Sequence, residues 1–180
     1  MIKSVFFTGH RPHGLWGTHF QRFSPEAKAK YAAQEAVLAS FVADFAALGF
    51  HRFITGGAIG LDQMAAKTVA DLRDTRFKDI VLVVARPFPS QDAVWPPQAK
   101  DYFKQLCKRA DWVYDVCQDP YEPWKMQRRN EWMVDESQVG IAMWNGSNGG
   151  TANCVRYAQK KGKPILVIHP ATLAITRINC

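Results

Sequence analysis

Apolar residues fall along the chain in two alternating regimes. Six short runs, at 4–8, 52–55, 79–85, 112–116, 139–144 and 164–168, are mostly continuous, as in Ile80-Val81-Leu82-Val83-Val84-Ala85 and Ile165-Leu166-Val167-Ile168. Continuous runs of this length predict strands of a parallel sheet covered on both faces, since a half-exposed strand would alternate with polar residues. Between the runs, apolar positions return every three or four residues. Ser24-Pro25-Glu26 opens one such stretch with a capping hydroxyl, a first-turn proline and an acid. Tyr31, Leu38, Phe41, Phe45 and Leu48 follow at helical spacing, and Gly49 ends the helix. Leu61, Met64, Ala65, Thr68 and Leu72 mark a second helical face. Further helices are predicted over 98–108, after the break Trp95-Pro96-Pro97, over 124–136, and from Thr151 to Gly162 with lysines in the last turn. Strands alternating with helices throughout predict a doubly wound α/β fold, and residues 1–180, with no repeat or linker, read as one domain.

Composition narrows the chemistry without choosing it. An apolar fraction of 47% with 12% aromatics excludes a disordered chain. At this length folding buries enough surface to need no metal or disulfide staple. Twenty-three Lys and Arg against sixteen Asp and Glu leave a charge of +7, which favours phosphates, nucleotides or nucleic acid as a class. The short basic clusters, Lys108-Arg109, Arg128-Arg129 and Lys160-Lys161-Gly162-Lys163, read as solvated faces or helix ends. Cys107, Cys117, Cys154 and Cys180 lack metal or redox spacing, so reduced thiols, no metal and no cofactor are expected. Met1–Phe7 is too short for a signal sequence, and no stretch approaches the ~20 apolar residues of a membrane span, so a cytoplasmic protein with no membrane contact is expected. The default for the six tryptophans is core packing, with a groove or subunit contact as the alternative.

Three strand ends carry unusual turns: Thr8-Gly9-His10-Arg11-Pro12, Thr55-Gly56-Gly57-Ala58-Ile59-Gly60-Leu61-Asp62, and Asn145-Gly146-Ser147-Asn148-Gly149-Gly150-Thr151. Glycine permits positive φ and lets an anion approach the backbone; the first amides of the following helix then point at the ligand. In an open α/β sheet all three turns lie on the carboxyl edge, where ligands bind. Expected ligand contacts are Thr8, Gly9, His10, Arg11, Gly56, Gly57, Gly60, Asp62, Gly149, Gly150 and Thr151, with Arg11 offering a fork to phosphate and His10 a bond to ribose or base. His10 and His13 also have a plain reading as caps of the local turn, and Asp62 as an acid compensating the helix dipole. Arg129 and Asn130 join the expected contacts from the fourth long helix; being adjacent they diverge by about 100°, so one of them is expected to face the crevice and the other to pack or face solvent. Walker-A, nucleophile-elbow and H-E-x-x-H motifs are absent. Cys154, early in its helix, reads as a buried, inert thiol.

Phe7-Thr8-Gly9-His10-Arg11-Pro12, Ile54–Asp62, Arg129-Asn130 through Met133-Val134-Asp135, Gly149-Gly150-Thr151 and Gly162-Lys163-Pro164-Ile165, in this order, resemble the SLOG superfamily (Smf/DprA and LOG proteins), and within it the YpsA-like branch. The resemblance implies a Rossmann-like, doubly wound, mostly parallel sheet with helices on both faces, a nucleotide or nucleotide-sugar pocket, and a homo-oligomer. In the LOG branch, P-G-G-x-G-T-x-x-E supplies a catalytic glutamate that releases a base from a nucleoside monophosphate. Here Gly150-Thr151 matches, but the glutamate position holds Cys154, and a thiol cannot do a carboxylate's work there. Glu131 and Asp135 are the candidates to replace it. The first expectation is therefore a sensory or regulatory domain for a nucleotide or ADP-ribose-like molecule. A nucleoside monophosphate N-glycosidase comes second, and a single-stranded DNA-binding module like DprA third.

Overall fold

A computed structural model describes residues 2–17 and 24–180. In chain order the elements are β1 (Ser4–Gly9), α1 (Pro12–Leu15), α2 (Pro25–Ala47), β2 (Arg52–Thr55), α3 (Leu61–Thr75), β3 (Val81–Arg86), α4 (Pro97–Arg109), β4 (Trp112–Asp115), α5 (Pro123–Asp135), β5 (Val139–Met143), α6 (Gly150–Lys160), β6 (Ile165–Ile168) and β7 (Ile175–Ile178). The six predicted strands and five predicted helices are all present, with ends displaced by a residue or two. The one-turn helix α1 and the strand β7 were not expected. Ile175-Thr176-Arg177-Ile178 is too short and too polar to stand out by pattern.

The strands form one sheet in the order β4-β3-β2-β1-β5-β6-β7. Every pair is parallel except β6–β7, which is antiparallel. This is the Rossmann-like α/β architecture. Successive strand residues face opposite ways, so Phe7, Phe53, Leu82 and Ile141 pack with Leu38, Val42, Met64 and Leu106 of α2, α3 and α4. Phe6, Ile54, Val83 and Ala142 instead pack with Met133, Val134 and Val155 of α5 and α6. Covering both faces is why these strands are apolar throughout, and each large side chain so buried contributes about 1.5–3 kcal/mol.

Strand β4 departs from the expectation. Its run is as apolar as the others, yet Trp112, Val113 and Tyr114 are exposed, because β4 is the sheet's edge. Local pattern does not encode strand order. At the N-terminus of α2, Ser24 Oγ accepts the Ala27 N–H at 3.2 Å, as the cap signal implied. No helix among the described residues is long and apolar enough to cross a membrane.

The chain winds outward from β1 through β2 and β3 to β4, then returns to place β5 on the other side of β1. The winding therefore reverses between β1 and β5, and a crevice opens beyond their carboxyl ends.

Candidate functional site

A pocket of about 350 Å³ lies at that reversal. Strand β1 and the residues after it supply Thr8, Gly9, His10 and Arg11; the β2–α3 turn supplies Ala58, and the first turn of α3 Asp62; α6 supplies Gly150 and Thr151. The remaining wall is a stripe on α5, Met126, Arg129, Asn130 and Met133. Those positions are spaced i, i+3, i+4 and i+7, which is one face of a helix. The expectation that only one of Arg129 and Asn130 faces the crevice is thereby corrected: both line it, on either side of the stripe's centre. The two methionines were missed, although the same periodicity would have found them.

Three anchors hold the walls. His10 N–H donates to Met143 O at 3.2 Å, tying β1 to β5. His10 Nε2 also lies 2.8 Å from Asn145 Oδ1 and 3.2 Å from the Asn145 amide nitrogen; it donates to the first or accepts from the second according to its tautomer. The histidine thus ties the end of β1 to Asn145 just after β5, a residue not among the expected contacts, while His13 sits exposed on α1. On α5, buried Lys125 donates to the carbonyls of Gln118 and Pro120 at 2.9 and 2.6 Å and pairs with Glu122 at 2.8 Å. This fixes the start of the helix that carries the stripe.

The floor is a buried ion pair. Arg129 Nη1 donates to Gly56 O at 2.6 Å and lies 3.7 Å from Asp62 Oδ2, while its Nε donates to Asn130 Oδ1 at 3.0 Å. Asp62 Oδ2 also accepts the Ala58 N–H at 3.3 Å. Burial raises the Asp62 carboxyl above its ordinary range, against the pull of Arg129 and Arg11, and the same burial lowers the Arg129 guanidinium. Of the basic pair expected on a solvated face, only Arg128 is exposed; Arg129 is interior.

Gly56, Gly57 and Gly60 do not line the pocket. A Cβ on Gly56 would overlap the Arg129 guanidinium, and one on Gly60, whose φ is +119°, would overlap the His10 carbonyl oxygen. Three amides of this turn are committed: Gly57 N–H to Thr55 Oγ1, Ala58 N–H to Asp62 and Leu61 N–H to His10 O. At the β2 turn, then, glycine makes room for the protein's own groups, and part of the donor set is used internally. At α6 the case is reversed. No described group accepts from the amides of Gly150, Thr151 or Ala152, and a Cβ on Gly149 or Gly150 would meet nothing within 4 Å. Arg11 is exposed and lines the pocket; among the described residues it makes no hydrogen bond or close ion pair, and its charge acts on Asp62 from a distance.

Carboxylates are scarce. Asp62 is the only one lining the pocket. Glu131 lies off the stripe, bonded by Gln127 Nε2 at 3.1 Å with Arg128 at 3.9 Å. Asp135 sits at the opposite end of α5, held by the Tyr157 hydroxyl and Lys161, both at 3.0 Å. Neither replaces a glutamate at Cys154. That thiol is buried, hydrogen-bonded with the Thr8 side chain, and pushed up to about 12 by desolvation, which makes it inert at neutral pH. Among the described residues, no group of three His, Cys, Asp or Glu is placed to hold a metal ion.

A model of the YspA SLOG family (YpsA) matches residues 5–173. The chain belongs to this family. The chain is 38% identical over 133 residues to an uncharacterized SPbeta prophage-derived protein, YoqJ, of Bacillus subtilis, a match covering 67% of this chain and 77% of that one. It is 24% identical over 152 residues to a UPF0398 protein of Brevibacillus brevis, covering 84% and 77% respectively. In fold it is similar to DNA processing protein A of Helicobacter pylori, with a TM-score of 0.57 at 19% identity, and of Streptococcus pneumoniae, with 0.61 at 14%. Those matches cover 92% and 96% of this chain but 64% and 52% of the DprA chains, so this chain spans only part of their length.

Proposed function

We propose that this SLOG chain binds a phosphate-bearing nucleotide, nucleotide sugar or ADP-ribose-like molecule in the β1/β5 pocket, in a sensory or regulatory role. One observation carries the reading. Arg11, which makes no hydrogen bond or close ion pair, and the uncommitted first amides of α6 line the same pocket. A phosphate there gains a forked cation and a row of backbone donors at a helix N-terminus. Thr8, Gly9, His10, Asp62, Arg129, Asn130 and Thr151 are the proposed surrounding contacts. A volume of about 350 Å³ suits a ligand of nucleotide size.

Thermal denaturation across a panel of nucleoside mono- and diphosphates, dinucleotides and ADP-ribose tests the proposal. A ligand that binds only the folded chain raises Tm, by about 2.7 kcal/mol of added stability at a hundred times its Kd. Silence from the whole panel, with Arg11→Ala and Gly150→Glu equally silent, overturns it.

The N-glycosidase reading is weaker. Asp62, the one lining carboxylate, is occupied by Arg129 and the Ala58 amide, so a free general acid or nucleophile is lacking. Free base released from a nucleoside monophosphate, and lost in Asp62→Asn, would reverse this order.

Single-stranded DNA is the second binding reading. It is favoured by the likeness to the H. pylori DprA, a protein whose structure concerns its single-stranded DNA binding mode, and by the charge of +7. Trp124 sits two residues before the stripe, on the solvent side of α5, so it offers no stacking face inside the pocket. Anisotropy of a labelled oligonucleotide, falling steeply with added salt, would support this reading.

A further inference from the structure

The turn that presents the α6 amides is tied by hydrogen bonds to the rest of the molecule at a single point. A Cβ on Gly146, Gly149 or Gly150 would meet nothing within 4 Å, so the turn packs against no neighbour at those positions. Its other bonds are local. Trp144 Nε1 donates to Ser147 O at 2.7 Å, the Ser147 N–H to Asn145 Oδ1 at 3.0 Å, and Arg156 Nη1 of α6 to Asn148 Oδ1 at 3.3 Å. Among the described residues, the hydrogen bonds that reach residues 145–150 from elsewhere in the fold all come from His10. Its Nε2 lies 2.8 Å from Asn145 Oδ1 and 3.2 Å from the Asn145 amide nitrogen.

We infer that His10 is a positioning residue for phosphate: through Asn145 it sets the α6 amides at the distance from Arg11 at which both hold one anion. This role presupposes the phosphate site proposed above. The imidazole is suited to it because it is itself fixed on three sides. The His10 N–H donates to Met143 O at 3.2 Å, and its carbonyl accepts the Leu61 N–H at 3.2 Å. The side chain lies on α1, where a Cβ on Gly14 would come within 2.9 Å of His10 Cβ and 3.0 Å of its Cγ. Arg11 is the next residue, and its carbonyl accepts the Gly14 N–H at 2.9 Å. One residue thus stands between the two groups that grip the anion, joined to Arg11 by the chain and to the α6 turn by Nε2.

Binding that must first order a loop is weakened by the entropy of ordering it, and a preformed turn avoids that cost. Gly146 and Gly149, at φ of +88° and +144°, give the turn a backbone freedom that neighbouring packing does not restrain. The His10–Asn145 link supplies the restraint. With Nε2 engaged there, His10 acts on the anion through Asn145. That asparagine is exposed and lies outside the pocket wall, so an affinity lost on truncating it is lost through the turn.

Thermal titration of the full chain with ADP-ribose, and with inorganic phosphate as the minimal anion, is the test. Both should raise the wild-type Tm. In Asn145→Ala the apparent Kd should weaken about tenfold, the worth of one lost hydrogen bond. Its ligand-free Tm should stay within roughly 2 °C of the wild type, because the side chain is exposed. His10→Ala should weaken binding by a similar factor, and adding Asn145→Ala to it should weaken binding no further, since the two act as one link. His10→Gln, whose amide nitrogen reaches toward the place of Nε2, should restore most of the affinity. If His10→Ala fails to fold, Asn145→Ala decides alone. A wild type silent to both probes removes the phosphate grip, and this role with it. A wild type that responds, with Asn145→Ala responding equally, with losses that add in the double variant, or with His10→Gln no better than His10→Ala, keeps the phosphate site and overturns the positioning role.

Discussion

At the end of β2 the turn from Gly56 to Gly60 is packed solid, while at the end of β5 the turn from Gly146 to Gly150 stands open. Each feeds a helix and each is rich in glycine. In the first, glycine makes room for the protein itself: Arg129 lies on Gly56, and the His10 carbonyl lies on Gly60. Three amides there are spent on Thr55, Asp62 and His10. In the second, nothing fills the space and the donors have no acceptor. Glycine before a helix thus answers two different needs, close packing in the first turn and open space in the second. The packed turn supplies rigidity, holding Asp62 and Arg129 as the floor on which the open turn's ligand would rest.

The contrast breaks most severely at Arg129. Arg129→Ala strips the buried Asp62 carboxylate of its cation and leaves Gly56 O without its donor, a loss of about 3–5 kcal/mol. At about 2–4 °C per kcal/mol for a chain of this size, Tm should fall by roughly 6–20 °C. An unchanged Tm would mean the turn is not held by the ion pair. Gly56→Ala should come next, at about 1–3 kcal/mol, because the new methyl forces the guanidinium aside; the urea midpoint measures it.

A smaller effect concerns pH. Burial holds the Asp62 carboxyl above its ordinary value of 3.8, so the folded chain binds that proton more readily than the unfolded chain does. Its contribution is therefore most favourable below 3.8 and is lost as pH rises through that value toward the folded-state one. Asp62→Asn does not titrate. The wild type should accordingly lose ground to the Asn variant as pH rises from strongly acid to neutral, read as the difference between their urea midpoints. A constant difference would show the carboxyl unshifted.

What was legible in the sequence follows from the range of each interaction. Caps, helix faces and buried strands rest on neighbours within a turn or a pleat, and Ser24, Gly49 and the Ile80–Ala85 run announced them. The Arg129–Gly56 contact joins residues 73 apart, and nothing near Gly56 says that a guanidinium will fill its corner. The exposure of Trp112 likewise depends on β4 being last in the strand order, a fact about the whole sheet. The pairing of Arg129 with Asn130 along one pocket wall was within reach, because Met126 and Met133 complete the helical stripe.

The smallest expected change in stability is the most informative about the open turn. Gly150 is the first residue of α6, its φ is not in the left-handed region, and a methyl there meets nothing within 4 Å. Gly150→Ala should therefore leave the ligand-free chain unchanged or more stable by at most about 1 kcal/mol, alanine being the better helix former. Gly149→Ala is the counterpart. Space is equally free, but φ of +144° is a conformation that only glycine adopts readily, so that variant should lose about 1–3 kcal/mol through the backbone alone. If the α6 amides hold phosphate, Gly150→Ala must also shrink the Tm rise given by whichever nucleotide stabilises the wild type, since its methyl stands where the anion approaches. Full retention of that rise, in a variant whose fold is untouched, would locate the ligand away from α6 and leave Arg11 to act without it.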